Sequence, residues 1–304
     1  MATLARNQTV AVQRPRFSFR ISRVIFLTLA VIVTIIALTP FVLTVSGSFK
    51  TKSEILDWPP TIIPQVFQWQ NYVEVWNNSR FFPQWILNSV LLAGFHLLVY
   101  LGICSAAGYA FARLRFPGAT VLFIAILGSI MVPGQVLWVP KFLIINQLGQ
   151  AIDQTELIIN QLGLVDSLPG IALPDLAEVF GVFFMTQFFK SLPKELEEAA
   201  SIDGASTFRT FRQIILPNAY PALAALAILR FQGEWNGFQW PLIVVRSPDH
   251  LTLPLGLASF QGLFGVNWNW VLAGAMFNAV PIILLVIFFQ KYFIRSAASS
   301  AVKG

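Results

Sequence analysis

Long runs without charged residues, separated by short polar segments, dominate the pattern of hydrophobic and polar positions along the chain. The first run covers residues 24–49, which is longer than the roughly 20 residues that a membrane-spanning helix needs. A cleaved signal peptide has an apolar core of only about 7–15 residues, so this run predicts a retained first span. The whole pattern predicts an all-α integral membrane protein with six transmembrane helices, near residues 24–45, 85–108, 119–140, 170–189, 219–245 and 270–290.

Two of the predicted spans contain charged residues. The fourth is too short to cross a membrane without Asp175 and Glu178, which are three residues apart and are predicted to share a helix face. They either line a solute path or lie at the level of the lipid headgroups. In the fifth span, Arg230 and Glu234 are four residues apart and can pair on one helix face. Pairing is expected because an unpaired arginine at mid-membrane costs about 2.5 kcal/mol or more.

The fifth span also contains an aromatic and amide-rich tract that ends at Pro241. Its indole and amide groups are suited to a solute path, and the candidate pathway-lining residues are Arg230, Glu234, Trp235, Asn236 and Gln239. The alternative is a structural kink whose freed backbone groups are satisfied by neighbouring helices. Pro133 and Gly134 predict a static kink of the same kind in the third span, with a hinge as the alternative.

The polar segment 191–217 has a helical pattern of its own. Ser191 is predicted to cap a first helix that carries several glutamates in its first turns. Gly204 is predicted to end this helix in the left-handed conformation. Ser206 is then predicted to cap a second helix. The segment thus predicts a helix–glycine–helix hairpin, with an amphipathic connector on the membrane surface as the alternative.

The same segment resembles a known signature. Glu198, Ala199, Ala200 and Gly204, followed by Ile214, Leu216 and Pro217, match the EAA signature in spacing at every position. That signature marks the membrane permeases of binding-protein-dependent ABC importers. The surrounding residues, including Pro193 and Asp203, resemble the carbohydrate-import branch, and the smaller permease of maltose-type importers is the nearest comparison.

The resemblance implies a type I ABC importer permease fold in which segment 191–217 is a cytoplasmic coupling-helix hairpin. Such a hairpin docks in a cleft of a separate ATP-hydrolysing subunit, and the two alanines are small enough to enter that groove. The resemblance implies these ATPase-coupling residues: Glu198, Ala199, Ala200, Asp203, Gly204, Ile214, Leu216 and Pro217.

The resemblance also implies the partners and the function. The assembly would contain two ATPase subunits, a second and non-identical permease, and an extracytoplasmic solute-binding protein. This chain would form half of the translocation pathway for a sugar or oligosaccharide. Two alternatives remain open: the same class of permease for a non-sugar solute such as a glycerol phosphate or a polyamine, and a polytopic membrane enzyme or receptor.

Composition and charge agree with a membrane location. Hydrophobic residues make up 56% of the 304 residues and charged residues only 11%, against about 25% charged in soluble domains. The net charge of +6 does not indicate nucleic-acid binding, because the basic residues flank the apolar spans. They concentrate on the side that would be cytoplasmic if both termini were inside. The predicted organisation is a cytoplasmic segment 1–23, an inner-membrane permease domain 24–293 and a cytoplasmic tail 294–304.

Residues that would indicate an enzyme or a cofactor site are missing from the sequence. There is no G-x-x-x-x-G-K-[ST] phosphate-binding loop, so ATP hydrolysis is expected on a partner chain. One cysteine, Cys104, and two histidines, His96 and His250, cannot form a zinc-type Cys/His cluster. Cys104 is predicted to be a packed core thiol, His250 to be a surface residue, and no metal or cofactor is expected on this chain.

One short sequence occurs twice. Residues 144–149 and 158–163 both read IINQLG. The repeat is too short to indicate a repeat fold, and it predicts a local tandem duplication that lengthens one exterior connection.

Overall fold

The chain folds almost entirely into helices, because its long apolar runs can satisfy their backbone hydrogen bonds in lipid only within a helix. The computed structural model describes residues 21–78, 80–154, 164–262 and 265–301. The helices are α1 (Ile21–Gly47), α2 (Lys52–Leu56), α3 (Gln70–Asn78), α4 (Phe82–Arg113), α5 (Ala119–Ser129), α6 (Trp138–Gln154), α7 (Leu168–Ala172), α8 (Val179–Ser191), α9 (Glu195–Ile202), α10 (Thr207–Thr210), α11 (Leu216–Asn218), α12 (Tyr220–Trp235), α13 (Gln239–Val244), α14 (Leu253–Ala258) and α15 (Trp268–Ala301).

Short irregular pieces complete the fold. Single 3₁₀ turns cover Gly134–Leu137 and Leu173–Asp175, and a π-helical turn, Phe211–Ile215, joins α10 to α11. Two two-residue strands, β1 (Gln261–Gly262) and β2 (Gly265–Val266), pair antiparallel.

Within the described residues, three helices are long and apolar enough to cross a membrane by themselves: Arg23–Gly47, Phe82–Arg113 and Trp268–Phe289. Three further helix pairs pass the same test together but bend at a break. The total is therefore three spans, or up to six if each bent pair is one span. The three long helices cover the predicted first, second and sixth spans.

The bent pairs correspond to the predicted third, fourth and fifth spans, and two of them differ from the expectation. In the third, the kink near Pro133 is a bend of 94°, and the helix beyond it continues to Gln154 rather than ending near residue 140. In the fourth, a 46° bend separates Leu168–Asp175 from Val179–Ser191. Asp175 and Glu178 therefore do not share one helix face, because Glu178 is the residue that precedes α8.

The core lies between α4, α8 and the start of α12. Cys104, Met185, Phe189, Ile215 and Leu226 are among its fully buried side chains. The predicted packing of the thiol is thus confirmed.

Two glycines let α4 and α8 approach closely. A Cβ atom on Gly108 would lie 2.7 Å from Met185 Cβ, and one on Gly181 would lie 2.3 Å from Tyr100 Oη. Small residues at such contacts are the usual means of close helix packing in lipid.

The two ends of α4 contact different parts of the chain. At its beginning, Trp85 Nε1 donates to Pro248 O at 2.7 Å, and Asn88 Nδ2 donates to Asp249 O at 2.8 Å. At its end, Arg113 reaches the segment that precedes α9. With 32 residues and a rise of about 1.5 Å per residue, α4 is about 48 Å long and separates these two ends of the molecule.

Several predicted features lie partly or wholly outside the described residues. These are the basic N-terminal segment up to residue 20, the last three residues and the second copy of IINQLG at 158–163. The first copy, residues 144–149, lies within α6.

Candidate functional site

The predicted hairpin forms at 195–218, and its turn depends on Gly204. Gly204 has φ +73°, a conformation in which other residues are strained. Behind it, Ala205 N donates to Ala200 O at 2.9 Å, which closes the end of α9 as in a Schellman turn. Ser206 Oγ accepts from Arg209 N at 3.3 Å, so the predicted cap of the second helix is confirmed.

The predicted cap of the first helix is wrong. Ser191 is the last residue of α8, and its hydroxyl donates back to Phe188 O at 2.7 Å. Lys194 precedes α9 and provides no side-chain cap. The three glutamates in the first turn of α9 still interact favourably with its dipole.

The signature residues divide between an exposed face and a packed face. Glu198, Ala199, Asp203 and Gly204 are exposed, as are the neighbouring Ile202 (86%) and Phe208 (69%). Ala200 is only 2% exposed, so it packs inside the hairpin rather than presenting its methyl group to a partner. Three further signature residues, on the second arm of the hairpin, are partly buried: Ile214, Leu216 and Pro217. Of these, Ile214 packs against the core between α4 and α8.

The hairpin is tied to α4 and α8. Arg113 Nη2 donates to Leu192 O at 2.7 Å, and Arg113 Nε lies 3.3 Å from Glu197 Oε1. The ring of Phe211 packs against Tyr109, with centroids 5.0 Å apart, and against Phe189 at 6.5 Å. A displacement of the hairpin is therefore transmitted to both helices.

A cavity of about 570 Å³ opens among α4, α7, α8, α12 and α13. Its size is in the range of small-molecule pockets. It is lined by His96, Tyr100, Trp138, Ile171, Asp175, Glu178, Phe180, Leu226, Leu229, Arg230, Gly233, Glu234, Gly237, Phe238, Gln239, Trp240 and Pro241.

Arg230 is the centre of the polar wall. The predicted pairing with Glu234 is present, with Nη2 3.2 Å from Glu234 Oε2. Nη1 donates to Glu178 Oε2 at 3.3 Å, and Nη2 also donates to Asp175 O at 2.9 Å. The guanidinium lies over the ring of Tyr100, 5.1 Å from its centroid, at a distance typical of cation–π contacts.

His96 completes this cluster, although no role in a site was predicted for it. Its side chain is 1% exposed. Nε2 lies 2.5 Å from Ala172 O, and Nδ1 lies 2.5 Å from Glu234 Oε2. A histidine inside a predicted span was the available signal, because ionisable residues in spans usually face the bundle interior or a water-filled path.

The five predicted pathway residues separate into two groups. Arg230, Glu234 and Gln239 line the cavity. Trp235 is 2% exposed and donates from Nε1 to Asn278 O at 2.9 Å, and Asn236 Oδ1 accepts from Asn278 Nδ2 at 3.2 Å. The last two residues therefore face α15, and Trp138 and Trp240 supply the indole groups of the cavity wall instead.

A polar clasp holds α13 at the edge of this cavity. Asp166, at φ +63°, accepts at Oδ1 from Arg246 N (2.7 Å) and Ser247 N (2.8 Å), and Ser247 Oγ donates to Oδ2. Burial opposes ionisation here, but these hydrogen bonds outweigh it and lower the pKa of Asp166. His250, which the sequence predicted to be a surface residue, is partly exposed nearby, with Nδ1 3.8 Å from Asp166 Oδ1.

Within the described part of the chain, no group of three or more His, Cys, Asp or Glu residues could hold a metal ion.

Comparison with known proteins gives consistent results. The family described as Binding-protein-dependent transport system inner membrane component matches residues 99–299. The chain is 34% identical over 293 residues to the arabinooligosaccharides transport system permease protein of Bacillus subtilis (strain 168), covering 95% of this chain and 98% of that one. It is 30% identical over 288 residues to the trehalose/maltose transport system permease protein of Thermococcus litoralis, covering 93% and 98%.

A solved structure shares the fold. One chain in the crystal structure of a bacterial ABC transporter involved in the import of the acidic polysaccharide alginate matches with a TM-score of 0.77 and 23% identity. The match covers 92% of this chain and 100% of that chain.

Proposed function

Because the chain belongs to the family of inner-membrane components of binding-protein-dependent transport systems, we propose that it is the permease subunit of a sugar or oligosaccharide importer. The family makes it a multi-pass membrane protein and a transport subunit rather than an enzyme. Two relatives that align over nearly their full length are named for arabino-oligosaccharides and for trehalose and maltose, which supports a carbohydrate as the solute.

One observation carries the coupling part of this proposal: the hairpin at 195–218 exposes apolar side chains at its tip while its base is fixed to α4 and α8. Ile202 and Phe208 are largely exposed, and desolvating such side chains against a partner is favourable. Glu198, Ala199, Asp203 and Gly204 surround them on the exposed face. The tip is the surface that the cleft of an ATPase subunit would cover.

Coupling then follows from the way the hairpin is attached. When two ATPase subunits close on ATP, they draw the docked hairpins together, and the contact of Arg113 with Glu197 passes this displacement to α4. A rigid-body movement of this kind alternately opens the pathway to the two sides of the membrane. Ala200, Ile214, Leu216 and Pro217 contribute by keeping the hairpin rigid, since they are buried or partly buried beneath it.

The complete assembly is part of the same proposal. We place six spans in this chain, formed by α1, α4, α5 with α6, α7 with α8, α12 with α13, and α15, with both termini and the hairpin in the cytoplasm. A second, non-identical permease provides the other half of the pathway, and an extracytoplasmic binding protein delivers the solute. The cavity residues Arg230, Glu234 and Gln239 line the pathway, and Trp235 and Asn236 support its wall from the α15 side.

The test uses two glycines in the same conformation. Gly204 (φ +73°) and Gly118 (φ +82°) both have open space where a Cβ would be, so Gly204→Trp and Gly118→Trp carry the same backbone strain of about 1–2 kcal/mol. Affinity purification in mild detergent should recover an ATPase and a second permease with the wild type and with Gly118→Trp. Gly204→Trp should insert normally, lose the ATPase and abolish uptake. An ATPase that stays bound to Gly204→Trp, or is absent from the wild type, would refute the proposal.

A further inference from the structure

The charges around the cavity almost cancel. We define the cavity cluster as Lys141, Asp175, Glu178, Arg230 and Glu234, together with His96. Lys141 Nζ lies 2.5 Å from Asp175 Oδ1, and Arg230 contacts the other two carboxylates. Three carboxylates thus oppose two permanent cations, so the cluster is not a positively charged site despite its central arginine.

His96 contacts both charged groups of α12. Nε2 donates to Ala172 O at 2.5 Å. Nδ1 lies 2.5 Å from Glu234 Oε2 and 3.1 Å from Arg230 Nη2. The histidine therefore links the carboxylate and the guanidinium to α4 and adds no permanent charge to the cluster.

Arg230 is already occupied as a charged group. An arginine free to bind a phosphate or carboxylate offers two parallel N–H donors to the anion. Here Nη1 donates to Glu178, Nη2 donates to Asp175 O and contacts His96 Nδ1 beside Glu234, and the buried Nε has no hydrogen-bond partner among the described residues. An anionic solute that approached the two Nη groups would therefore compete with the carboxylates already beside them.

The rest of the wall suits a solute with hydroxyl groups and apolar ring faces. Trp138, Trp240, Phe180 and Phe238 provide aromatic surface, and Gln239 provides an amide. The Glu178 side chain is 53% exposed, so its carboxylate can accept hydrogen bonds from hydroxyl groups. In pockets with mainly apolar walls, a few polar groups fix the orientation of the ligand.

We propose that this permease carries its own solute subsite, formed by Arg230, Glu178, Gln239 and Trp240, which accepts uncharged polyhydroxylated solutes and rejects phosphorylated or carboxylated ones. The inference rests on the proposed function as a carbohydrate-importer permease and adds the charge of the solute. It also argues against a glycerol phosphate as the cargo.

The experiment compares two sugars that differ by one charged group. The purified importer, with both permeases and the ATPase but without its binding protein, is titrated with trehalose and with trehalose 6-phosphate in lipid nanodiscs. The wild type should bind trehalose at least tenfold more tightly than the phosphate. Glu178→Gln removes the carboxylate charge beside Arg230 Nη1 and raises the cluster by one positive charge, so it should reduce this preference at least tenfold.

Asp249→Asn is the matched control. Its side chain is similarly exposed (52%), it changes the charge equally, and it lies outside the cavity wall. The proposal is refuted if the wild type binds neither sugar, if it binds the phosphate as tightly as trehalose, or if Glu178→Gln and Asp249→Asn have the same preference. Co-purification of the ATPase and ATP-driven uptake test the proposed function separately, so an importer that couples normally but fails here refutes the subsite alone.

Discussion

The hairpin at 195–218 and the cavity cluster differ in whether their side chains find contacts within this chain. At the hairpin tip, Ile202 and Phe208 are 86% and 69% exposed, and nothing within the described chain covers them. In the cavity cluster, the side chains of His96 and Arg230 are only 1% and 12% exposed, and each contacts several partners. The hairpin tip is therefore left uncovered by the described chain, whereas the charged groups of the cluster contact one another within it.

The difference indicates where substitutions should act. A change in the cavity cluster leaves a buried polar group without its partner, which reduces the stability of the fold. A change at the hairpin tip removes nothing that the isolated chain needs, so it should affect assembly alone. Three substitutions test this separation.

The largest effect is expected from His96→Leu. The substitution removes the donor to Ala172 O and the imidazole in contact with Glu234 and Arg230, and each buried polar group left without its partner costs about 1–3 kcal/mol. We expect the free energy of unfolding in mixed detergent micelles to fall by about 3 kcal/mol. The matched control is His250→Leu, at a half-exposed position (42%). This substitution should change the free energy of unfolding by less than about 0.5 kcal/mol. Equal losses for the two histidines would contradict the buried role of His96.

A smaller effect, confined to assembly, is expected from Ile202→Asp. A charged side chain at the centre of an apolar contact should weaken binding of the ATPase by more than about 1 kcal/mol, measured by titration of the purified subunits. The free energy of unfolding should stay within about 0.5 kcal/mol of the wild type, as is usual for surface positions. Ile63→Asp changes an isoleucine that is also largely exposed (80%) but lies outside the hairpin, and it should leave ATPase binding intact. If Ile202→Asp destabilises the isolated chain, the hairpin tip is part of the fold.

The smallest effect is expected at the edge of the cavity, where Asp166 holds α13. Because the pKa of Asp166 is lowered in the folded chain, its ionisation stabilises the fold above its unfolded pKa of about 3.9. That contribution is lost as the pH falls through the lower folded value. Asp166→Asn should therefore lower the unfolding temperature slightly at pH 7 and reduce the difference in unfolding temperature between pH 7 and pH 3. An unchanged difference would show that the clasp does not depend on the carboxylate.

The sequence predicted local features well because they depend on residues close together in the chain. The left-handed Gly204, the Ser206 cap and the Arg230–Glu234 pair each follow from positions within one or two helical turns. The direction in which Ala200 and Trp235 point was not predictable in the same way. It depends on which helices pack together, and no periodicity within one helix specifies that partner.

His96 shows the same limit. Its contacts with Glu234 and Ala172 join α4 to α12 and α7 across long separations in the chain. A single sequence indicates that a histidine within a span needs a partner, but it does not identify the partner. The pairing depends on how α4 packs against α7 and α12 in the folded chain.

The uninterrupted course of α4 affects how force travels through the molecule. The other long helices contain an internal proline, Pro40 in α1 and Pro281 in α15, and the bent pairs contain breaks. In α4 the only proline, Pro83, lies in the first turn, where it removes no hydrogen bond. We therefore expect α4 to move as a rigid body from Arg113 to His96. The conformational changes of a transport cycle are then expected at the breaks of the bent helix pairs around it.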